Sequence, residues 1–199
     1  MSKSAEWDNR YSSSQYIYGT EPNQFLKQEL STLALGKLLL PGEGEGRNAL
    51  WAAKNGWEVT AIDFSQMAKQ KAENLFAENG LAVTYLVDDI FTIDINDKFD
   101  AIALAFLHIP KEKKPLFANK MVNWLKPVGT LIMETFHPEQ IKRNSGGPKN
   151  PDFFVTPNEI ENYYKALNIL HIETKEICLS EGSHHKGNAI VIRMVAVKP

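Results

Sequence analysis

The run Gly42-Glu43-Gly44-Glu45-Gly46-Arg47-Asn48 follows directly on the apolar stretch Lys37-Leu38-Leu39-Leu40-Pro41. A buried strand that breaks into alternating glycines confines a chain to an α/β sheet whose backbone meets a ligand. Glycine takes positive φ and leaves the main chain bare to close approach. Asn48 to Asn55 reads as a helix, so the loop ends at a helix N-terminus, where backbone N–H groups lack intrahelical partners. Seventeen residues past Gly46, Trp57-Glu58-Val59-Thr60-Ala61-Ile62-Asp63 reads as a second strand ending in an acid. An acid there accepts both hydroxyls of an adenosine ribose.

The ligand follows from the charges in the loop. The pyrophosphate-binding pattern G-x-G-x-x-G depends on positive potential at the helix start. Here the pattern is G-x-G-x-G, with Glu43 and Glu45 between the glycines. Two carboxylates repel a pyrophosphate and suit a ligand with a sulfonium and an ammonium, which describes S-adenosylmethionine (SAM). The plain alternative is that Gly42, Gly44 and Gly46 only close a tight turn. The ordered context of strand, loop, helix, strand and acid favours the ligand loop.

A chain of 199 residues, 43% hydrophobic and 23% charged, is ample for one α/β domain over residues 1–199, with 1–32 as an N-terminal lid and helix segment. A net charge of −2 carries no electrostatic footprint for nucleic acid. One cysteine, Cys178, excludes an intrachain disulfide and a cysteine-built zinc site, so a reducing cytoplasm is expected. No apolar run reaches the roughly 20 residues of a membrane span. The start, from Met1 to Glu6, leads into no apolar segment and is not read as a signal peptide.

Strand and helix patterns alternate along the chain, which argues a mainly parallel sheet. Glu21 to Leu30 is expected as an amphipathic helix, and Ser65 as the cap of a helix ending at Asn79-Gly80. Val83–Val87, Phe99–Phe106 and Thr130–Phe136 read as strands, with a helix from Lys111 to Leu125. His137 to Val155, rich in Pro, Gly and Asn, reads as a long excursion. Thr156-Pro157-Asn158-Glu159 is a capping box that starts a helix running to Ala166. Ile169–Leu179 and Ala189–Val197 read as a closing hairpin joined by Glu181 to Asn188. Five βα units followed by a hairpin fit a SAM-binding domain better than a dinucleotide domain. The expected fold is a Rossmann-like three-layer sandwich with a seven-stranded sheet of order 3-2-1-4-5-7-6, strand 7 antiparallel.

The chain resembles a small class I SAM-dependent methyltransferase of the group related to tellurite-resistance and thiopurine methyltransferases. The marks are Trp7-Asp8-x-Arg10-Tyr11, then Tyr18-Gly19-x-Glu21-Pro22-Asn23-x-Phe25-Leu26, then the Gly42–Asn48 loop. His108-Ile109-Pro110, Leu125-Lys126-Pro127, Gly146-Gly147-Pro148 and Glu181-Gly182 with a nearby His-x-Gly complete them. The resemblance implies that Gly42, Gly44 and Gly46 pack against the amino-acid part of SAM, with Glu43 or Glu45 near its ammonium. It implies that Asp63 holds the ribose, that Phe64 flanks the adenine, and that Asp89 and Ile90 recognise the adenine edge. Trp7, Tyr11 and Tyr18 fall where related enzymes fold a lid over the site, and Ala105 and Phe106 border the transferable methyl. The alternative for these aromatics, and for Tyr16, is that they simply dock the N-terminus.

The chain departs from that pattern in three places. The acid usual near the end of strand one is Leu40 here, the first glycine before strand five is Val128, and Leu104-Ala105 replaces the charge that thiopurine enzymes carry on strand four. His108, at the carboxyl edge of the sheet, is either an acceptor-facing imidazole or a core histidine. His137 has the same two readings. His184 and His185 read as a solvated turn, and Cys178 as a small buried hydrophobe.

Methyl transfer from SAM needs positioning and desolvation above all. A thiol or chalcogen anion needs no strong base, since a free thiol has a pKa of about 8.5. An amine or hydroxyl does need one, and His108, His137 or Glu134 would supply it. Tyr18 and His108 are the catalytic candidates. The expectation is an enzyme that methylates a small, soft acceptor, without nucleic acid, membrane or metal, as a monomer or homodimer. The alternatives are an NAD-dependent oxidoreductase, a non-catalytic SAM-binding regulator, and a methyltransferase of protein or nucleic acid.

Overall fold

Three consecutive leucines without alternation need cover on both faces. The computed structural model, which describes residues 3–199, puts them at the middle of a sheet. Met1 and Ser2, the start of the segment read as lacking a signal peptide, lie outside the described residues. The elements before the sheet centre are α1 (Lys3–Tyr11), α2 (Gln24–Leu30), β1 (Lys37–Pro41), α3 (Arg47–Lys54), β2 (Glu58–Asp63) and α4 (Gln66–Glu78). They are followed by β3 (Thr84–Val87), β4 (Phe99–Ala105), α5 (Lys114–Trp124), β5 (Leu125–Phe136), α6 (Pro157–Tyr163), β6 (Asn168–Glu181) and β7 (His185–Val197). Among the described residues, seven strands form one sheet of order β3-β2-β1-β4-β5-β7-β6. β1 to β5 run parallel, and β7 lies antiparallel to both β5 and β6. The expected order and reversal are both present.

The alternation of side chains along a strand explains the two cores. Leu39 points into a cluster with Ile102, Met121 and Trp124, under α5 and α6. Leu38 and Leu40 point the other way, to Phe25, Leu26, Ala49 and Phe76 under α2, α3 and α4. Helix ends follow their caps. Asn23 and Ser65 accept from Leu26 N and Ala68 N, and the Thr156–Glu159 capping box closes as expected.

Several boundaries move. Residues 3–11 are helical, although the only helix expected in the 1–32 segment is Glu21 to Leu30. β5 starts at Leu125 rather than Thr130, because Leu125 pairs with Phe99 before an irregularity and regular pairing resumes at Thr130 with Ala101. Val128, at the position usually glycine, has φ +58°. The closing hairpin is tighter than the polar residues imply. Its ladder continues to Glu181 opposite His185, leaving only Gly182 to His184 as the turn. His185 is therefore a buried strand residue and not part of a solvated turn, whereas His184 is exposed. Cys178 is exposed rather than buried, because β6 is an edge strand with little covering it. Among the described residues no helix is long and apolar enough to cross a membrane.

Candidate functional site

At the carboxyl ends of β1, β2 and β4 lies a cavity of about 360 Å³, walled by the glycine loop, α1, the residues after β4, the Gly147–Lys149 stretch and His185. Its floor follows from the sequence of the loop. Gly42 and Gly44 take φ of +66° and +64°, and Gly42 N donates to Ile62 O at 2.7 Å. A Cβ on Gly42 would meet Leu107, and one on Gly44 would lie 2.9 Å from the Tyr11 hydroxyl, so both glycines keep the loop thin at the cavity. Gly46 does a different job. It is the positive-φ residue before α3, and a Cβ there would meet Ala72 of α4 at 2.7 Å.

The two loop carboxylates are both buried and both engaged. Glu43 accepts from Asn48 N and Ala49 N, each at 2.8 Å, and so caps α3 in place of a side chain at Gly46. Burial nevertheless pushes its pKa up to about 7, against the lowering by those hydrogen bonds. Glu45 accepts from Ile17 N at 2.8 Å and pairs with Lys71 at 2.5 Å. The Lys71 ammonium also donates to Ser13 O and Gln15 O, at 2.8 and 2.6 Å. Glu45 thereby latches the segment before Tyr18 onto the loop. Asp63, at the end of β2, accepts from Gly44 N and Ser65 N, each at 3.0 Å. Burial raises its pKa to about 6, since three backbone donors offset only part of the desolvation.

The N-terminal segment is fastened from three sides. Asp8 on α1 accepts from Ser65 Oγ at 2.6 Å and from Met67 N at the start of α4. Ile17 O accepts from Ser183 N in the hairpin turn at 2.9 Å. Arg47 reaches Tyr18 O and Glu21 O and pairs with Glu181 at 2.9 Å. Arg10 donates to the Tyr18 hydroxyl at 3.3 Å and stacks over Trp7.

The far end of the cavity is aromatic. The Trp7, Phe136 and Phe153 rings lie 6.1–6.5 Å from the His108 ring. Phe106 stacks on Phe136 at 4.4 Å, and His185 sits 4.8 Å from Phe106 and 4.6 Å from Tyr18. Phe106 holds φ +55°, a strained value for a bulky residue, with its N–H donated to Glu134 O. Desolvation lowers the His108 pKa to about 4, with His185 and Arg10 adding to it, so His108 is neutral. His185 Nδ1 is 3.1 Å from Glu181 Oε2. Burial alone would raise the Glu181 pKa, but His185 and Arg47 together bring it down to about 2.

A donor set of buried carboxylates around thin glycine backbone suits a cationic, ribose-bearing ligand, and the volume is that of a small-molecule site. A family model described as a methyltransferase domain matches residues 39–129. Thiocyanate methyltransferase 1 of Brassica oleracea is 34% identical over 122 residues, covering 59% of this chain and 53% of that protein. The chain therefore spans about half the length of this relative. Thiopurine S-methyltransferase of Legionella pneumophila (strain Paris) is 26% identical over 176 residues, covering 80% of this chain and 77% of that one. The fold is shared with TehB from Haemophilus influenzae, with a TM-score of 0.73 at 18% identity over 99% of this chain and 67% of that one. Residues 39–129 are thus similar to a methyltransferase domain, carried on a fold that TehB shares.

The cavity gathers Trp7, Tyr11, Tyr18, Gly42, Glu43, Gly44, Glu45, Asp63, Phe64, Ala105 and His108 from the expected set. It does not gather Gly46, Asp89 or Ile90. The Asp89 carboxylate accepts from Phe91 N on an exposed turn after β3, and Ile90 is in the core. His137 is elsewhere, accepting from Glu139 N with its Nδ1. Glu134 is buried and held by Asn23 and Arg193 at 2.5 and 2.7 Å, so it is not free to act as a base. Sequence reasoning missed His185 and its partner Glu181, and Arg10. One signal was available for His185: it stands an even number of residues before Ala189 and Val191, so in a continuous strand all three share the inward face.

Proposed function

We propose that this protein transfers the methyl group of SAM to a small, soft nucleophile, a thiol or a reduced chalcogen anion. In this reading it works in the cytoplasm as one domain, as a monomer or homodimer, and acts on neither nucleic acid nor protein. The observation that carries the reading is the aromatic enclosure at the end of β4 beside the glycine loop. Aromatic faces attract cations and make favourable contacts with polarisable sulfur. The names of the thiocyanate and thiopurine relatives lend support to a sulfur acceptor.

SAM brings an activated methyl on a sulfonium, and what is left to the protein is positioning and exclusion of water. Asp63 accepts the ribose hydroxyls, with Phe64 against the adenine and Asp89 and Ile90 on the neighbouring turn. Gly42 and Gly44 admit the amino-acid part, and the buried Glu43 and Glu45 supply the negative potential that favours its ammonium and the sulfonium. Gly46 serves by packing α3 onto α4. Trp7, Tyr11 and Tyr18 exclude water from above, and Ala105 borders the methyl. Tyr18, held by Arg10, covers the acceptor end, and neutral His108 lines it.

Calorimetric titration with SAM, S-adenosylhomocysteine and NADH tests the cofactor, followed by an acceptor panel of thiols, hydrosulfide, amines and phenols. Micromolar binding of the first two, with turnover of thiols and hydrosulfide, is expected. NADH binding alone would overturn the class of cofactor. Turnover confined to amines or phenols would overturn the soft acceptor, and cofactor binding without any turnover would favour a regulator.

A further inference from the structure

His185 is buried, at the point where β7 enters the aromatic end of the cavity, and among the described residues it is bonded at one nitrogen only. Its Nδ1 faces Glu181 Oε2 at 3.1 Å. That carboxylate is ionised and cannot donate, so Nδ1 carries the proton and Nε2 carries a lone pair. Nε2 has no hydrogen-bond partner among the described residues. It is not sealed either, since Glu45 Oε1 is the sole buried side-chain polar atom there without a hydrogen bond. Nε2 thus opens to the cavity that His185 lines, beside Gly146, where a Cβ would come within 3.3 Å of it.

The carboxylate behind the imidazole is itself fixed. Glu181 takes the Arg47 guanidinium at 2.9 Å on one oxygen and the Asn23 amide at 3.2 Å on the other. A donor-ready Nδ1, an acceptor-ready Nε2 and an immobilised acid are the arrangement of an oriented general base. His108 lacks this arrangement. No hydrogen-bond partner holds its ring among the described residues, and its neighbours are aromatic.

We propose that His185 is the general base that ionises a thiol acceptor, with Glu181 as its positioning residue. This rests on the soft-acceptor reading above. The S–H bond breaks, its proton passes to Nε2, and the electron pair stays on sulfur, which then takes the methyl from SAM. The proton on His185 leaves to water once the thioether has departed. The charged and titratable groups facing His185 are Glu181 from β6, Arg47 from α3, His184 from the turn, His108 from the segment after β4, and Tyr18 from the N-terminal segment.

The test compares His185→Asn with the unaltered protein on two acceptors at pH 7. One is an alkanethiol, mostly protonated, and the other an electron-poor aromatic thiol, already ionised. Asparagine keeps a donor towards Glu181 and removes the base. The expected result is that kcat/KM for the alkanethiol falls about 100-fold or more relative to that for the aromatic thiol. A second readout needs no turnover. With S-adenosylhomocysteine bound, ultraviolet thiolate absorbance should develop when the alkanethiol binds the unaltered protein and not His185→Asn. Glu181→Gln should move the pH profile for the alkanethiol and leave the ratio of the two acceptors between those of the other proteins. It also serves if His185→Asn does not fold. Equal losses on both acceptors, with thiolate absorbance retained, would overturn the proposal alone. An unaltered protein that binds SAM but methylates neither thiol would overturn the soft-acceptor reading, and the proposal with it.

Discussion

Glu45→Gln is expected to unlatch the segment before Tyr18 without unfolding the sheet. In the structure the Glu45 carboxylate is buried, paired with Lys71 at 2.5 Å and hydrogen-bonded to Ile17 N at 2.8 Å. Removing one partner of a buried ion pair costs about 3–5 kcal/mol when the other charge is left bare. Lys71 is not left bare here, because Ser13 O and Gln15 O still accept from it at 2.8 and 2.6 Å. Glutamine also keeps one acceptor oxygen for Ile17 N. We therefore expect about 2–3 kcal/mol. Apart from the Glu45–Lys71 pair itself, these bonds run to residues 13–17, so the loss should appear as local opening. At 1.36 kcal/mol per decade, native-state exchange of the Ile17 amide should quicken about 30- to 160-fold. The Ser183 amide, which donates to Ile17 O, should follow it, while the Leu39 amide at the sheet centre should change far less. Hydrogen exchange resolved by residue reads all three. A change below about threefold at Ile17, or equal acceleration at Ile17 and Leu39, would refute the reasoning. In the first case the pair holds nothing closed; in the second it supports the whole fold.

Asp63→Ala should weaken SAM binding at least tenfold, since a charged hydrogen-bond acceptor is worth about 1.5–3 kcal/mol; calorimetry reads it, and unchanged affinity would move the ribose acid elsewhere. The same residue predicts a pH dependence. Its pKa is raised by burial to about 6 and the ionised form accepts the ribose hydroxyls, so affinity is full above that pH. It is lost as pH falls through 6, by up to about tenfold per unit. Glu43, with a pKa near 7, titrates in the same region, so the part due to Asp63 is the part that Asp63→Asn abolishes. Val128→Gly should stabilise the fold. Val128 is 79% exposed at φ +58°, so little burial is lost and about 1 kcal/mol of left-handed strain is relieved. Thermal unfolding should rise by about 2–4 °C, and a fall would show that the turn does not strain valine.

What was legible in the sequence is what local pattern encodes. Leu38-Leu39-Leu40 is apolar without alternation because both faces are covered, and Thr156 with Glu159 is a cap because three residues suffice to make one. The contacts that fasten the N-terminal segment and the strands beside the cavity join residues far apart: Arg47 and Glu181 are 134 apart, and Asn23 and Glu134 are 111 apart. Nothing local marks either pair. The hairpin failed for a more instructive reason. Hydrophobic periodicity reports a strand only while its inward face meets a core. In β7 that face runs Val191, Ala189, Gly187, His185, and its last position meets a cavity instead. The apolar signal stops at Ala189, yet pairing with β6 continues four residues further, to His185 opposite Glu181. A strand leading into a binding site must look shorter than it is, because the residues that would complete its pattern carry chemistry. The gap between the two ends is itself a pointer: the inward positions beyond the last apolar residue are where this chain places a buried histidine and its acid.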